Sequence, residues 1–413
     1  MKILIVNTSD AGGGAARAAS RLLRALEAES IEVYMLVQRK TSDGYKIVGF
    51  ENKREKLLAL LRPTIDQFPS KLYKDRTKTL FSPSWIGNKN ILKMIKEIDP
   101  DIVHLHWING GMLKIEDLAK IEKPVVWSLH DMWAFTGGCH YDEECGKYKE
   151  KCGNCKVLGS NKEKDLSHKV FKRKEKIYKN LDLTVVGLSR WLNECSKESS
   201  LLKDKKHIHL PNPIDTDVFK PFDKDKAREL WSLPRDKKLV LFGAMNATGD
   251  PRKGFKELSE ALQLLKNENI EFVIFGSSRP QNPPTFTFPT HYVGQLHDDI
   301  SLVTLYSAVD VMVVPSLQEN LSNAIMESLS CATPVVAFDI GGNGDMIEHK
   351  QTGYLAKPFK PQDVANGIEW IFGLDKKGYN YLCLNAREKV LRKFDSRVVA
   401  KKYVKLYKEV LNG

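Results

Sequence analysis

Residues 311–327 read VMVVPSLQENLSNAIME, and this stretch decides the fold class. The apolar run Val311–Val314 predicts a buried strand, which a short polar loop connects to an apolar helical segment. A buried strand that passes through a loop into a helix is typical of a parallel α/β sheet. Ser322 or Asn323 can cap the helix, which leaves the backbone N–H groups of Leu321, Ser322 and Asn323 to meet an anion.

Two glutamates, Glu319 and Glu327, flank the predicted start of this helix. Glu319 lies in the loop, where it can face hydroxyl groups attached to the bound anion. Glu327 lies about one turn into the helix, where it can accept hydrogen bonds from a diol. The spacing by itself leaves open that both are solvated side chains on one surface.

The same alternation of short apolar runs and helical segments continues through the chain. Runs with the length of strands occur at 3–7, 33–37, 102–105, 125–129, 184–188, 208–210, 239–242, 271–275, 311–314 and 335–338. Such nearly continuous Val, Ile and Leu runs predict parallel sheets with both faces covered. Because Pro211–Pro213 interrupts the pattern, we expect an α/β chain of two doubly wound, Rossmann-like domains facing across a cleft. The last segment, Ser396–Leu411, has the period of a helix.

The composition is that of a globular protein. The chain of 413 residues is too long for one ordinary core, and 42% of its residues are apolar. No run approaches the ~20 apolar residues of a membrane-spanning helix. Met1-Lys2 leads directly into the first strand rather than into a signal peptide, so we expect a cytoplasmic protein.

The chain carries a formal net charge of +12, and part of this basic excess lies in one segment. Residues 171–179, FKRKEKIYK, interleave aromatic residues with Lys172, Arg173, Lys174 and Lys176. An anionic membrane surface, a nucleic acid and a merely solvated helix face are three interpretations of this pattern. The sequence lacks the signatures of common RNA- and DNA-binding folds, which disfavours nucleic acid as a partner.

Several short motifs follow one another in a characteristic order along most of the chain. They are Pro211–Asp215 with Phe219, Lys253-Gly254, Phe275-Gly276, Tyr292–Gly294, residues 311–327, Ser330–Val336, Asp339–Gly342 and Thr352-Gly353. In this order they resemble the retaining glycosyltransferases of family GT4, and within that family the enzymes that build bacterial surface polysaccharides.

This resemblance implies the GT-B fold and a transfer reaction. The expected domains are an N-terminal, acceptor-side domain at 1–212, a nucleotide-sugar domain at 213–390, and a terminal helix at 391–413 that crosses back to the first domain. The implied donor is a nucleoside-diphosphate sugar, and the implied acceptor is a glycan or a polyprenyl-linked glycan. No cofactor is expected for catalysis.

The resemblance also assigns roles around the opening stretch. Lys253 would neutralise the diphosphate as it leaves, and Glu319 would bind the donor sugar. Glu327 would hold the ribose, and the backbone at 321–323 would meet phosphate.

Two positions near the N-terminus receive roles in the same way. Gly13 and Gly14 lie in DAGGGAAR, residues 10–17, where backbone without side chains can approach the donor diphosphate or the acceptor. His130 ends the strand at 125–129, and the resemblance places it beside the transferred sugar. A structural turn and a structural histidine are the respective alternatives. His104 and His106 alternate along one strand and are expected to pack or to line the cleft rather than to bind a metal.

The chain departs from the family at several positions. Many relatives carry an arginine where this chain has Ala244-Met245-Asn246, and Arg252 is the candidate replacement. Asp345 stands where relatives often have glutamate. The nucleotide base is expected against the loops at 276–279 and 294–298. Asp215-Thr216-Asp217 imitates a metal-binding D-x-D motif, but it belongs to the linker motif and is expected to be structural.

Four of the seven cysteines lie close together in the sequence: Cys139, Cys145, Cys152 and Cys155. An odd total argues against a secreted disulfide framework. Four thiolates satisfy tetrahedral zinc, and the last two cysteines have the spacing of a zinc half-site. The stretch 139–155 therefore predicts a structural zinc knuckle, with free thiols or a redox pair as alternatives.

The predicted function is that of a cytoplasmic glycosyltransferase, peripheral on the inner face of the membrane if the basic segment binds lipid. A GT-B epimerase or hydrolase of nucleotide sugars is the alternative among enzymes. A zinc-knuckle nucleic-acid-binding protein is the alternative from another class. Nucleotide-sugar binding without salt-sensitive affinity for RNA or DNA distinguishes the two classes.

Overall fold

The computed structural model describes residues 1–243, 250–266, 269–276, 288–296 and 298–413. The chain divides into two compact units. Unit 1 comprises Met1–Asn212 and Val399–Gly413, and unit 2 comprises Pro213–Val398. The predicted residues Ala244-Met245-Asn246, most of the loop at 276–279 and His297 lie outside the described residues.

Unit 1 is built on a parallel sheet. Its strands are β1 (Lys2–Ser9), β2 (Glu32–Arg39), β3 (Ile47–Val48), β4 (Ile102–Leu105), β5 (Val125–Leu129), β6 (Leu183–Gly187) and β7 (Lys206–His209). They are hydrogen-bonded in the order β3-β2-β1-β4-β5-β6-β7, and every pair is parallel. All residues of β4 and β5 are buried, as a sheet covered on both faces requires.

Helices cover this sheet. They are α1 (Gly14–Ala28), α2 (Lys53–Lys71), α3 (Lys89–Ile98), α4 (Leu166–Tyr178) and α5 (Arg190–Glu198). The chain runs outward from β1 to β2 and β3, then returns to place β4 on the other side of β1. The loops after β1 and β4 therefore diverge at the carboxyl edge, which is where α/β sheets bind ligands.

Unit 2 has the same plan. Its described strands are β8 (Lys238–Gly243), β9 (Ile270–Phe275), β10 (Thr290–Tyr292), β11 (Val311–Val314), β12 (Val335–Phe338) and β13 (Gly353–Ala356). Their order is β10-β9-β8-β11-β12-β13, again with parallel pairs, so the switch in strand order falls between β8 and β11. The prediction of an α/β chain with two doubly wound, parallel sheets is confirmed.

The helices of unit 2 lie between and after these strands. They are α6 (Lys224–Leu230), α7 (Phe255–Gln263), α8 (Asp299–Ala308), α9 (Asn323–Ser330), α10 (Asn343–Met346), α11 (Pro361–Phe372) and α12 (Lys376–Lys393). A buried core of aliphatic and aromatic side chains from β8, β9, β11 and β12 packs against α7 and α11.

A last helix, α13 (Ser396–Leu411), attaches to the sheet of unit 1 through buried hydrogen bonds. Tyr407 Oη and His104 Nδ1 are 2.7 Å apart, and Tyr403 Oη lies 3.3 Å from Ser128 Oγ. His104 Nε2 and Ser128 Oγ are also hydrogen-bonded, at 2.8 Å. Burial lowers the pKa of His104 to about 3, so this histidine is a neutral hydrogen-bonding group that holds the helix.

Helix α4 contains the basic and aromatic segment, part of which faces the core. Phe171, Lys174 and Tyr178 are buried. The Lys174 ammonium donates to the carbonyls of Thr136, at 3.1 Å, and of Trp133, and lies 3.6 Å from the centre of the Trp133 ring. The aromatic residues and Lys174 of this segment therefore face the core, whereas Lys172, Lys176 and Lys179 are exposed. Binding of an anionic membrane surface by this helix stays a prediction.

Among the described residues, no helix has both the length and the apolar character needed to cross a bilayer.

Candidate active site

In unit 2, two loops at the carboxyl edge are held in close contact by a glycine. Gly254 follows the 3₁₀ turn Pro251–Lys253 and has a φ of +71°, a conformation that favours glycine. A Cβ atom at this position would overlap the carbonyl oxygen of Pro315, which follows β11. The Leu317 N–H donates to the Arg252 carbonyl at 2.7 Å, which fixes the same approach. The Lys253-Gly254 motif thus sets the distance between the two loops.

This approach brings Lys253 and Glu319 together. The Lys253 ammonium donates to Glu319 Oε2 at 3.1 Å, although 66 residues separate them in sequence. Their side chains are 28% and 14% exposed, so both groups are reachable but only partly solvated. A cation and a carboxylate so placed can bind an anionic group and a neighbouring hydroxyl at the same time.

The N-terminus of α9 begins next to this pair. Ser322 is the N-cap, and its hydroxyl accepts from the Ile325 N–H at 3.4 Å. Leu321 and Ser322 are buried, and Asn323 is half-buried. The positive end of the helix dipole adds to the charge of Lys253, which favours an anion here.

Glu327 lies one turn inside α9 and is only 2% exposed. Its Oε2 accepts from the Tyr306 hydroxyl at 3.0 Å. Tyr306 lies on α8, and no sequence motif pointed to it, because its hydroxyl reaches Glu327 only after α8 and α9 pack. The assignment of Glu327 to the ribose remains a proposal.

Arg252 is held by its own loop. Its guanidinium donates to both oxygens of Asp250, with Nη2 to Oδ2 at 2.7 Å and Nε to Oδ1 at 3.2 Å. Partial burial opposes ionisation of Asp250, but the hydrogen bonds and charge of Arg252 outweigh it and lower the carboxyl pKa. Arg252 therefore stabilises the turn that positions Lys253. Its assignment as a donor-binding residue is still a proposal. Asp345 lies in the short helix α10.

In unit 1, the glycine loop after β1 opens α1. Gly13 is the N-cap, with a φ of 109°, and Gly14 is the first helical residue. A Cβ atom on Gly13 would meet no atom within 4 Å, so the backbone conformation rather than crowding requires glycine here. Asp10 precedes this loop and accepts from the backbone N–H groups of Thr41, at 2.9 Å, and Ser42, at 2.7 Å. These bonds tie the loop start to the segment after β2.

His130 follows β5 and pairs with a second histidine. Its Nε2 lies 2.8 Å from His106 Nδ1, and His106 follows the neighbouring strand β4. Burial lowers the pKa of His130 to about 4 and that of His106 well below its ordinary value. Both rings are thus neutral at physiological pH and act as hydrogen-bonding groups rather than cations. His104 and His106 were expected to pack or to line the cleft, and both are buried.

Asp131, next to His130, belongs to a hydrogen-bond chain that the sequence did not reveal. Its Oδ2 bonds His140 Nδ1 at 2.6 Å and the Trp107 indole N–H at 3.1 Å, and His140 Nε2 bonds Ser82 Oγ at 2.9 Å. The order of groups is that of a hydrolytic triad. Ser82 and His140 are each only 2% exposed, however, so a substrate cannot reach the hydroxyl. These hydrogen bonds instead hold the loop after β5 in place.

The four clustered cysteines lie beside this loop. Cys139, Cys152 and Cys155 are buried and Cys145 is half-buried, and the Gly137 N–H donates to Cys152 Sγ at 3.1 Å. Burial raises the pKa of the Cys152 thiol to about 12 and that of Cys155 to about 11. Within the described part of the chain, no three His, Cys, Asp or Glu side chains are grouped so as to hold a metal ion. The zinc site therefore has no structural support and stays a prediction.

Comparison with known families gives two matches. The family model described as Glycosyltransferase Family 4 matches residues 12–218, half of the chain, and that of Glycosyl transferases group 1 matches residues 236–373. The chain is 24% identical to an uncharacterized glycosyltransferase of Methanocaldococcus jannaschii, over 74% of this chain and 82% of that protein. It is also 24% identical to the putative colanic acid biosynthesis glycosyl transferase WcaC of Escherichia coli, over 62% of this chain and 65% of that protein.

Solved structures show the same fold over the whole length. Sucrose-phosphate synthase from Thermosynechococcus elongatus aligns with a TM-score of 0.71 and 20% identity, covering 100% of this chain and 99% of that chain. Anabaena HepE in complex with UDP-glucose aligns with a TM-score of 0.66 and 16% identity, covering 99% and 100%. At these identities the likeness concerns the fold alone, which is that of the GT-B glycosyltransferases. Because the model of Glycosyltransferase Family 4 matches half of this chain, residues 12–218, the chain belongs to that family.

Proposed function

We propose that this glycosyltransferase is a retaining enzyme that moves a sugar from a nucleoside-diphosphate sugar to a glycan or lipid-linked glycan in surface-polysaccharide biosynthesis. The name of the WcaC relative supports the polysaccharide assignment. The UDP-glucose complex of HepE supports a nucleotide-sugar donor in an enzyme of this fold. A lipid-linked acceptor would place the reaction at the cytoplasmic face of a membrane.

The observation that carries the proposal is the contact between Lys253 and Glu319 beside the N-terminus of α9. An anion attached to a polyol satisfies all three features, and a nucleoside-diphosphate sugar is such a molecule. We assign the diphosphate to Lys253 and the backbone at 321–323, the sugar hydroxyls to Glu319, and the ribose to Glu327. In unit 1, Gly13 and Gly14 are assigned to the donor diphosphate or the acceptor, and His130 to the transferred sugar.

Charge development explains why Lys253 matters for rate. Negative charge on the departing diphosphate grows as the glycosidic bond breaks, so a fixed cation stabilises the transition state more than the bound donor. When the donor is bound, its phosphate competes with Glu319 for the ammonium of Lys253, which frees the carboxylate to accept from sugar hydroxyls. The neutral His130 contributes hydrogen bonds to the sugar rather than charge. We propose a displacement on one face of the sugar, in which the leaving phosphate assists deprotonation of the acceptor.

A panel of nucleotide sugars tests the donor assignment. UDP-, GDP-, dTDP- and ADP-sugars would be compared by thermal shift, because a ligand at 100 times its Kd stabilises the folded protein by about 2.7 kcal/mol. One base is expected to stand out. If none of these donors shifts the unfolding temperature or is consumed with a glycan acceptor, the donor assignment is wrong.

The anomeric configuration of the product tests retention. We expect proton NMR of the transferred sugar to show the configuration of the donor. A product of opposite configuration would overturn the retaining mechanism and leave the family membership untouched.

A further inference from the structure

Helix α2 of unit 1 exposes its apolar side chains to solvent. Large exposed residues on it and directly after it are Leu57, Leu60, Leu61, Ile65, Phe68 and Leu72. Leu60 and Phe68 are each 59% exposed. At about 100° per residue, all six fall within an arc of about 140° on the helix surface. Single exposed leucines are common on proteins, but a contiguous stripe of this kind marks an interaction surface.

The opposite side of the same helix is fixed against unit 1 by small and polar residues. Ala59, Asp66 and Ser70 are its buried positions. Asp66 Oδ1 accepts from the Trp85 N–H at 3.1 Å, and the Asp66 carbonyl accepts from the Trp85 indole at 3.0 Å. Gly111 lies so close that a Cβ atom there would be 2.7 Å from the Arg62 Cβ. The helix is therefore locked with its apolar side outward, the reverse of an ordinary surface helix.

Exposed cations precede and follow the apolar stripe along the chain. They are Lys53, Arg54, Lys56, Lys71, Lys74, Arg76 and Lys78. Residues 53–78 contain three acidic side chains. Asp66 is buried and Glu55 is paired with Arg62 at 2.8 Å, which leaves Asp75 as the exposed acid of this segment. An apolar stripe flanked by lysine and arginine is the pattern of a helix that lies in the interface of an anionic bilayer.

We propose that α2 and the segment that follows it, residues 53–78, form a docking surface for an anionic lipid bilayer, with the six apolar side chains inserted among the acyl chains. A second copy of this chain is a poorer occupant. A two-fold interface brings the same patch of both copies together, which would place the basic residues against each other. Anionic lipid headgroups neutralise those residues instead, at about 1 kcal/mol for each cation near the surface.

This surface goes beyond the proposed function, and it is distinct from the basic segment of α4. It suits an enzyme whose acceptor is carried by a lipid. The two ideas fail independently, since binding to vesicles is measured without donor or acceptor.

Vesicle co-sedimentation tests the docking surface. The wild-type chain would be mixed with phosphatidylcholine vesicles and with phosphatidylcholine–phosphatidylglycerol vesicles at low salt. The double variant Leu60→Gln/Phe68→Gln removes apolar side chains without changing charge, and we expect its partition onto the anionic vesicles to fall more than about ten-fold. Leu230→Gln is the matched control, because Leu230 is 66% exposed on α6, and its partition should equal that of the wild type. Lys53→Gln and Arg54→Gln should each weaken partition about five-fold, the equivalent of 1 kcal/mol.

Three results would overturn the proposal. The first is a wild-type chain that stays in the supernatant with the anionic vesicles. The second is a double variant that partitions as well as the wild type. The third is a wild-type dimer in analytical ultracentrifugation that the double variant abolishes, which would make the stripe an interface between copies. Because the substituted side chains are exposed, circular dichroism should show unchanged folding in each variant.

Discussion

The contact between Lys253 and Glu319 leads to a prediction about turnover. Replacing Lys253 with methionine keeps most of the aliphatic stem and removes the charge. A cation about 4 Å from a developing unit of negative charge contributes up to about 4 kcal/mol at an effective dielectric constant near 20. Removing one fixed group that stabilises such charge usually lowers kcat by about 10²–10³. We therefore expect a loss of kcat of that size.

The same structure predicts a small effect on stability. The Lys253 and Glu319 side chains are 28% and 14% exposed, and partly exposed ion pairs of this kind contribute about 1 kcal/mol or less. Lys256→Met is the matched control, since Lys256 pairs with Glu260 at 3.8 Å and is 83% exposed. We expect this control to keep both kcat and stability.

The assay combines kcat at saturating donor with the free energy of unfolding in urea. The reasoning would be refuted if Lys253→Met lost less than about ten-fold in kcat, or if Lys256→Met lost as much. A large loss of stability in Lys253→Met alone would show that the ion pair is structural rather than catalytic.

Four further predictions follow from the described residues. Glu319→Ala should impair use of the nucleotide sugar and spare binding of the nucleoside diphosphate, whereas Glu327→Ala should weaken both. If calorimetric titrations show that both variants lose equal affinity for the nucleoside diphosphate, the separate assignments are wrong. Gly254→Ala should destabilise unit 2 by more than about 2 kcal/mol in urea unfolding, because its φ is +71° and its Cβ would meet Pro315, and a change under about 0.5 kcal/mol would contradict this. Burial depresses the pKa values of His104, His106 and His130, so only the unfolded state binds protons at these groups as pH falls from about 6.5 to about 4. Stability should therefore fall by up to about 1.4 kcal/mol per pH unit for each histidine, offset in part by Asp66, whose pKa burial raises to about 6. Urea unfolding that shows equal stability at about pH 7 and about pH 5 would contradict this. If the four clustered cysteines hold zinc, elemental analysis should find about one equivalent that Cys152→Ser releases, whereas four titratable thiols and no metal would leave them as free thiols.

The local pattern of apolar residues was enough to predict the position of several strands and of the last helix. The strand periods located β4, β5, β11 and β12 to the residue, and the period of 396–411 located α13, because these patterns depend on near neighbours in sequence. Strands β3, β10 and β13 were not predicted. β3 and β10 have only two and three residues, and β13, with the sequence GYLA, lacks the continuous Val, Ile and Leu run that marked the other strands.

Contacts between distant residues were decided only by the tertiary structure. The Lys253–Glu319 pair spans 66 residues, the Ser82–His140 bond 58, and the His104–Tyr407 bond 303. Such pairs depend on which strands lie side by side, and strand order leaves no trace in the spacing of residues along the chain.

The two basic segments show that the sequence pattern likewise does not predict which side of a helix is exposed. Residues 171–179 and 53–78 both mix apolar and cationic side chains, and only the first was predicted as a surface. Helix α4 turns its aromatic residues and Lys174 inward. Helix α2 turns leucines outward because its other side, with Asp66 bonded to Trp85 and the small residues Ala59 and Ser70, is buried. Composition and period determine that a helix has two faces, but the partners available in the fold decide which face is buried.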